Sequence, residues 1–457
     1  MTIESLTRLS EIAAYIRTYQ ASTSATGKRD ALTNASLTAA HVRKLAEYTI
    51  RLESVLVSRV AQNWFDLIAE EQAMLAAPRE VRHIRNMYLV GRPVQPDSGH
   101  PFVGRNDQFE TIDRLWRDAT LKPPIVLHGQ RRTGKTSILY HLEKNLRGSY
   151  LTVYANLQSL AAVETTSAFV YNLCDEIARR LRKAGLDLVE PQPADFAVEA
   201  FSGLRHFLNQ VEDATSPDRW VVVLLDEFEM IEEKIKDRKI QSDVLYQFRD
   251  AMLNRPRFAI VLAGLHTLDQ MTRDYWSPFF NGARNVKVSY LDDAAAKLLI
   301  TNPWDGFELE YDQDALQFIA DVAGCQPTLL QAVGAALIDR VNVRLEREGA
   351  QYQPRVTQAD VDAVLGEVQQ TSTYFDAVWH ELGENERCIL SALAKAQTAW
   401  NEPVSRADIN TRVCEQLAQA EITQAWDWLK QRDMLEETNG QVKFRVELVR
   451  RWVASRP

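Results

Sequence analysis

Residues 124–139 read Pro-Ile-Val-Leu-His-Gly-Gln-Arg-Arg-Thr-Gly-Lys-Thr-Ser-Ile-Leu. The apolar run at its start predicts a strand, and the apolar residues from Ile138 onward recur at helical spacing. Between them stands the pattern G-x-x-x-x-G-K-[ST], which forms a phosphate-binding loop when a strand precedes it and a helix follows. The stretch therefore predicts such a loop, with the rest of the fold arranged around it.

Each position in this loop has a chemical purpose. Glycines let backbone N–H groups point inward at a phosphate, and the helix N-terminus adds partial positive charge. Lys135 is expected to reach the β- and γ-phosphates of ATP, and the Thr136 hydroxyl is expected to bind Mg²⁺. The predicted nucleotide-binding residues are Gly129, Gln130, Arg131, Arg132, Thr133, Gly134, Lys135, Thr136 and Ser137.

Length and charge limit the alternatives. A chain of 457 residues is expected to hold two to four domains. The net charge of −9 argues against the whole chain being a general nucleic-acid or membrane-surface binder, although a local basic patch stays open. The four cysteines are scattered, which suits a reducing cytosol and gives no metal signal. No signal peptide is visible, and the longest apolar runs are only strand-sized, so a cytoplasmic protein without a membrane span is predicted.

A second acidic motif completes the predicted site. The continuous apolar run Trp220–Leu225 indicates a strand buried on both faces, as in a parallel sheet. Asp226 and Glu227 follow at the edge where open α/β sheets bind ligands. We expect Asp226 to lie in the Mg²⁺ shell and Glu227 to orient and deprotonate the attacking water. The alternative is a strand that simply ends in two acids.

Phe258–Gly264 predicts a further buried strand, and His266 and Thr267 follow it. A polar side chain there would contact the γ-phosphate or the water, so His266 is a catalytic candidate. A loop histidine or a helix-capping threonine is the open alternative.

Asn285–Tyr290 predicts a fifth strand, and Arg284 precedes it. Arg284 is a candidate arginine finger directed at a neighbouring subunit's nucleotide, with Arg273 as the second choice. A solvated charge is the alternative for both.

These motifs resemble those of a known group. The loop with its double arginine, the preceding Phe-Val-Gly-Arg of residues 102–105 and the Val-Val-Val-Leu-Leu-Asp-Glu of 221–227 are similar to the STAND class and the archaeal-type ATPases. These are relatives of AAA+ proteins and of origin-recognition ATPases. The resemblance implies an α/β P-loop core with a five-stranded parallel sheet and the phosphate-loop strand in its middle, then a helical lid and a winged helix.

The predicted domains are a helical N-terminal region over 1–85, the ATPase core over 86–290, the lid over 291–370 and the winged helix over 371–457. In the resembling family a Gly-x-Pro turn of the lid approaches the nucleotide. Here the turn contains Pro327, with Cys325 in the glycine position. Pro327 from this turn and Val103 from the Phe-Val-Gly-Arg segment are expected to line the nucleotide.

The C-terminal pattern predicts a helix over about Glu384–Ala396, a short second helix, a third over about Gln419–Gln431, and a hairpin whose turn is Asn439-Gly440. A DNA-reading winged helix needs Arg, Lys, Asn or Gln on its recognition helix. The third helix offers Gln419, Gln424, Lys430 and, just past its end, Arg432, but its charges are mixed. Only a small basic cluster follows, namely Lys443, Arg445, Arg450 and Arg451. A protein-contacting winged helix is therefore favoured over a DNA reader.

The N-terminal region is predicted to be helical, with one long stretch over about Ser36–Leu75. The apolar positions of this stretch are Leu45, Ile50, Leu52, Leu56, Val60, Trp64 and Leu67. This region could pack on the next domain or form a surface for oligomers or a partner.

The sequence predicts a slowly hydrolysing ATP switch of STAND or AAA+ type that assembles with itself or a partner protein, in signalling or defence. The alternative is a DNA-binding ATPase of origin-recognition type.

Overall fold

The computed structural model describes residues 3–22, 25–47, 52–76, 83–117, 119, 121–146, 150–244, 246–248, 255, 257–265, 283–348 and 352–456. The chain divides into two compact units. The first comprises Met1–Asn86, Thr301–Leu316 and Ala335–Val364; the second comprises Met87–Ile300, Gln317–Gly334 and Leu365–Pro457. The four domain boundaries drawn from the sequence stay a prediction. Among the helices in the described ranges, none has both the length and the apolar character needed to cross a membrane.

The helices are numbered in chain order. They are α1 Ile3–Ala21, α2 Ala25–Glu47, α3 Leu52–Ala76, α4 Asn106–Arg117, α5 Lys135–Asn145, α6 Thr166–Lys183, α7 Pro193–Ala197, α8 Ala200–Ala214, α9 Glu229–Lys236, α10 Asp293–Thr301, α11 Gln313–Ala323, α12 Pro327–Glu348, α13 Gln358–Thr371, α14 Tyr374–Glu381, α15 Glu384–Ala396, α16 Arg406–Val413, α17 Gln419–Gln431 and α18 Glu447–Ala454.

The strands are numbered in the same way. They are β1 Ile125–His128, β2 Tyr150–Asn156, β3 Trp220–Asp226, β4 Phe258–Gly264, β5 Arg284–Lys287, β6 Glu310–Tyr311, β7 Arg355–Val356, β8 Val404–Ser405, β9 Leu435–Thr438 and β10 Gln441–Phe444.

The second unit is built on a sheet of five strands in the order β2-β3-β4-β1-β5. Every neighbouring pair is parallel. The predicted five-stranded parallel sheet is thus confirmed, but its middle strand is β4 and the phosphate-loop strand β1 is second from one edge. Because β4 and β5 flank it, β1 is still hydrogen-bonded on both sides and buried.

Both faces of this sheet are covered by helices, which explains the unbroken apolar run of β3. Val221, Val223 and Leu225 face a cluster that includes residues of α6 and α8. Val222 and Leu224 face the opposite cluster, which includes residues of α4 and α5. A strand with apolar side chains on both faces reads as continuous rather than alternating.

In the N-terminal part of the first unit, α1, α2 and α3 pack around their own small core. Of the apolar positions that the sequence offers on α3, Leu56, Val60 and Leu67 are 58%, 41% and 62% exposed. Val57, Ala61 and Ile68 are the buried residues instead. The core holds four alanines (Ala35, Ala39, Ala46 and Ala61), which allow helices to approach closely, and Trp64 packs against it partly buried. Ile50 and the side chain of Leu52 lie outside what the structure describes.

The last part of the second unit contains α15, α16 and α17 and an antiparallel sheet of order β8-β10-β9. The hairpin between β9 and β10 turns at Asn439 and Gly440, which have φ of 52° and 73°. Positive φ at both positions is the geometry of a type I′ turn, for which Asn-Gly is the preferred sequence.

Candidate nucleotide site

The phosphate loop lies at the carboxyl edge of the sheet, between β1 and α5. Arg132 and Gly134 have φ of 61° and 96°, so the backbone curls through the left-handed region twice. A Cβ at Gly129 would lie 2.1 Å from the carbonyl oxygen of Val288, so only glycine fits there. Inside the curl, the Thr133 hydroxyl donates to the Gln130 carbonyl at 2.9 Å and fixes the turn.

Lys135 begins α5 and turns back over the loop. Its Nζ donates to the carbonyl oxygens of Gly129 and Gln130 at 2.9 and 2.8 Å. Burial lowers its pKa, while the charges of Glu229 and Glu227 oppose that effect. The amine therefore sits in the concave side of the loop, where a phosphate oxygen can replace a carbonyl partner.

Thr136 and Asp226 come together across the sheet edge. The Thr136 hydroxyl donates to Asp226 Oδ2 at 2.7 Å, and the Tyr154 hydroxyl donates to the same oxygen at 3.0 Å. Burial raises the pKa of Asp226, and the bond from Thr136 opposes that rise. A hydroxyl beside a buried carboxylate is a donor set of hard oxygens that suits Mg²⁺.

Glu227 follows Asp226 with a φ of 55°, and its N–H donates to Asp226 Oδ1 at 3.1 Å. This left-handed turn directs the chain away from the strand at its last residue and leaves the half-buried Glu227 lining the cleft. Burial raises the pKa of Glu227, and the negative charge of Glu229 raises it further.

Glu229 is a site residue that the sequence analysis missed. It is 8% exposed, and no described residue donates a hydrogen bond to either of its carboxylate oxygens. A Cβ at Gly264, at the end of β4, would lie 2.6 Å from Glu229 Oε2, so the glycine makes room for this acid. The signal was present as a second glutamate two positions after Glu227, but spacing alone did not indicate that it turns back to the sheet edge.

Arg105 is a second missed residue. Its guanidinium donates to the carbonyl oxygens of Thr133 at 2.6 Å and of Ser289 at 3.0 Å. It is 4% exposed, and burial lowers its pKa to about 10. The arginine of the Phe-Val-Gly-Arg segment thus ties the phosphate loop to the chain after β5.

A cleft of about 430 Å³ opens beside the loop. Val103 and Pro327, both predicted to line a nucleotide, lie on its wall together with residues Arg131–Ser137. Phe102 and Leu291 supply further apolar surface. The cleft therefore combines an apolar wall with a phosphate-sized loop, as a nucleotide site requires.

The start of α12 and the residue before it contact the loop through two side chains that were not predicted. Gln326 Nε2 and the Thr328 hydroxyl both donate to the carbonyl oxygen of Arg132, at 3.0 and 3.1 Å. Gln326 is fully buried, and its Oε1 accepts from the Leu329 N–H at 2.8 Å. Cys325, in the predicted glycine position, adopts a φ of 56°, so this non-glycine residue still provides the left-handed turn.

Four further residues of the predicted loop contact other segments of the chain. Arg131 Nε pairs with Glu381 Oε1 at 2.8 Å, and an Arg132 N–H donates to the Thr373 hydroxyl at 2.9 Å. The Ser137 hydroxyl accepts from the Val94 N–H at 2.9 Å.

Gln130, the fourth, accepts from the Tyr290 hydroxyl at 2.8 Å and donates to the Arg432 carbonyl. The sequence places Arg432 just past the third helix as a candidate for DNA contact, yet its side chain is only 10% exposed.

Arg284 is not brought to this site. It opens β5 and pairs in register with Ile125, at the amino ends of the strands, whereas the loop follows their carboxyl ends. The strand also begins at Arg284 rather than after it. His266, Thr267 and Arg273 lie outside the described residues, and their roles, like the finger role of Arg284, stay predictions.

Comparison with known proteins supports this picture. Residues 101–286 match the family model described as AAA ATPase domain. No curated protein matches the sequence.

Among solved structures, the Walker-type ATPase of Pyrococcus abyssi is 16% identical with a TM-score of 0.55, covering 79% of this chain and 98% of that one. The ADP form of ORC2 from Aeropyrum pernix is 13% identical with a TM-score of 0.45, covering 79% and 94%. A RuvB variant from Thermotoga maritima is 12% identical with a TM-score of 0.41, covering 80% and 99%.

At 16% identity, the similarity to the first structure shows a shared fold alone. The TM-scores of the other two, 0.45 and 0.41, are too low to establish a shared fold. The family match and the geometry of the loop agree on the same segment. Over residues 101–286 this chain carries an AAA-type ATPase domain.

Proposed function

We propose that the chain binds ATP with Mg²⁺, hydrolyses it slowly and acts as a nucleotide-operated switch. The observation that best supports this proposal is the 2.7 Å hydrogen bond between Thr136 and Asp226. It joins a loop and a strand end that lie 90 residues apart in sequence, and the buried Lys135 directly precedes Thr136 in the chain.

The proposed chemistry assigns one role to each group. Lys135 exchanges its carbonyl partners for oxygens of the β- and γ-phosphates. Thr136 and Asp226 hold Mg²⁺, which supplies charge neutralisation at the phosphates when bound. Glu227 accepts a hydrogen bond from the attacking water and takes its proton, because an acid whose pKa is raised is a better base at neutral pH.

We propose that residues 291–370 act as a lid and residues 371–457 as a winged helix. Nucleotide binding at the loop is coupled to conformational change through these two parts. The helix and strand order of α15, β8, α16, α17, β9 and β10 supports the second assignment. The two hydrogen bonds from Gln326 and Thr328 to the Arg132 carbonyl support the first, since a phosphate that moves the loop must also move this turn.

Assembly with itself or with a partner protein is part of the proposal. The exposed apolar residues on α2 and α3 support an interaction role for the N-terminal helices; they include Leu37, Val55, Leu56 and Leu67. Arg284, exposed at the far edge of the sheet, stays the proposed finger toward a neighbouring chain.

The charges of the C-terminal part argue against the DNA-binding alternative. All four members of the basic cluster are paired within the chain: Lys443 with Glu436, Arg445 with Asp433, and both Arg450 and Arg451 with Glu447. Lys430 of α17 pairs with Glu437 at 3.2 Å. Each of these cations would have to exchange a carboxylate for a phosphate, which weakens the positive surface that duplex binding requires.

The test is to measure ATP binding by calorimetry, phosphate release, and mass by size-exclusion light scattering, with and without Mg²⁺-ATP and duplex DNA. The switch predicts ATP-dependent hydrolysis and a nucleotide-dependent mass or shape without DNA. Duplex binding that falls with salt and is lost in Arg445→Ala with Arg450→Ala would favour the alternative instead. Absence of nucleotide binding would end both.

A further inference from the structure

One acid from outside the sheet faces the phosphate loop. Glu381, the last residue of α14, pairs with Arg131 of the loop at 2.8 Å through its Oε1. Its Oε2 lies 3.6 Å from an amino group of Arg432, just past α17. The side chain of Glu381 is 17% exposed and that of Arg432 is 10% exposed. Two arginines therefore share one mostly buried carboxylate beside the loop.

This carboxylate also lies within electrostatic reach of the catalytic edge. Burial raises the pKa of Glu381, whereas the positive charges of Arg131, Arg432 and Lys135 oppose the rise and Glu227 adds to it. Glu381 in turn supports the charged form of Lys135. Its negative charge thus acts on the amine that would hold the terminal phosphates, and on the glutamate that would activate water.

The surrounding contacts hold Glu381 in place. Thr373, just before α14, accepts a hydrogen bond from Arg132 at 2.9 Å. The carbonyl of Arg432 accepts one from Gln130. Both ends of α14 and the residue after α17 therefore contact three consecutive loop residues, and these contacts hold the acid beside the loop.

We propose that Glu381 is a specificity residue that makes this site favour a nucleoside diphosphate over a triphosphate. The inference rests on the proposed nucleotide-binding function and concerns the same loop. A triphosphate adds negative charge at its terminal phosphate, close to a carboxylate that the loop already holds. Arg131 and Arg432 already share that carboxylate, so the extra charge gains less attraction from them than from unpaired arginines and is repelled by Glu381.

A consequence follows for the switch. A triphosphate binds fully only when Arg131 exchanges Glu381 for phosphate oxygens. That exchange breaks an ion pair between the phosphate loop and α14. The terminal phosphate and Glu381 thus compete for the same cation, and by linkage each weakens the other's binding to it.

The experiment measures dissociation constants of Mg²⁺-ADP and of a non-hydrolysable Mg²⁺-ATP analogue by calorimetry on the full chain. Glu381→Gln keeps the size of the side chain and removes its charge. The matched control is Glu384→Gln, an exposed glutamate three positions later. We expect Glu381→Gln to tighten the triphosphate about tenfold and the diphosphate less than about twofold, with the control unchanged for both.

The inference is overturned if a folded Glu381→Gln protein shows an unchanged ratio of the two dissociation constants. It is also overturned if both nucleotides bind more weakly by the same factor, because Glu381 would then be a structural bridge only. If Glu381→Gln does not fold, Glu381→Asp, which keeps the charge but shortens its reach, replaces it. A shift of at least about threefold in the same direction is then expected, and no shift overturns the inference. If the wild-type protein binds neither nucleotide, the proposed function fails first, and that outcome is distinct from an unchanged ratio.

Discussion

The phosphate loop has two differently built sides. On the side of β3, Thr136 meets Asp226 and Lys135 lies over the loop carbonyls, all within the sheet edge and α5. On the side of the C-terminal segment, Arg131 and Arg132 meet Glu381 and Thr373. The first side carries the groups that phosphoryl transfer needs. The second carries groups that hold the loop to another part of the chain.

Under the proposed function, one side of the loop serves catalysis and the other serves control. The β3 side is rigid because β3 is hydrogen-bonded to β2 and β4 and packed on both faces. The C-terminal side rests on polar contacts in which Arg131 is 48% exposed. An ion pair with one exposed partner contributes about 1 kcal/mol or less, so it can exchange partners without unfolding the domain. Changes on the two sides should therefore differ in size and in kind.

The largest effect is expected at Lys135. Lys135→Ala removes the buried cation of the β3 side, and ATP binding should weaken by about 2–5 kcal/mol, the usual cost of removing one partner of a buried charge pair. Calorimetric titration with Mg²⁺-ATP measures it. Lys144→Ala, on the same helix but in an exposed pair with Asp97, is the control and should bind as the wild type does. Stoichiometric binding retained in Lys135→Ala would refute the loop assignment.

Glu227→Gln should separate binding from turnover. The amide keeps the shape of the side chain but cannot accept the proton, so phosphate release should fall at least about a hundredfold while ATP affinity stays within about twofold. Glu233→Gln, an exposed glutamate on α9, is the matched control. Hydrolysis at the wild-type rate would move the base to another residue, and the buried Glu229 would be the first to examine.

A smaller effect on stability is expected at Gln326, which links the turn before α12 to the loop. Gln326→Ala leaves the Leu329 N–H and one bond of the Arg132 carbonyl unmatched, which should cost about 1–3 kcal/mol of unfolding free energy. Urea unfolding measures this, with the exposed Gln313→Ala as the control. Equal stability in the two variants would mean that Gln326 does not hold the loop.

The smallest effect is expected at Arg284, because it lies at the sheet edge away from the loop. Arg284→Ala should leave the ATPase rate of a dilute monomer within about twofold, and lower it only where chains assemble. Phosphate release measured across a concentration series, alongside light scattering, gives both values. The same loss in monomer and assembly would remove the finger role.

Much of the fold was predictable because it depends on local patterns. The continuous apolar runs that became β3 and β4 indicate burial on both faces wherever they occur in a sheet. The bounds predicted for the helices over 384–396 and 419–431 agree with the structure because their apolar spacing and capping are local features. The sheet order was not local: only the crossovers decided that β4, and not β1, lies in the middle.

The errors share one cause, which is that side-chain direction depends on neighbours. Apolar character alone did not separate the exposed Leu56, Val60 and Leu67 of α3 from the residues that face its core. Arg432 looked available for DNA by its position after α17, but the end of that helix meets the loop and buries the side chain. Neither packing partner is adjacent in sequence.

The sequence by itself determined that a phosphate loop stands between a strand and a helix, and that an acidic pair ends a buried strand. Local sequence is sufficient for both, because the glycines and the following helix define the loop and the apolar run defines the strand. Only the tertiary structure decided which charges surround that loop. Glu229, Glu381 and Arg432 reach it through a turn back to the sheet and through segments some 250–300 residues further on. Electrostatic interactions depend on distance in space, and no spacing in the sequence encodes that distance.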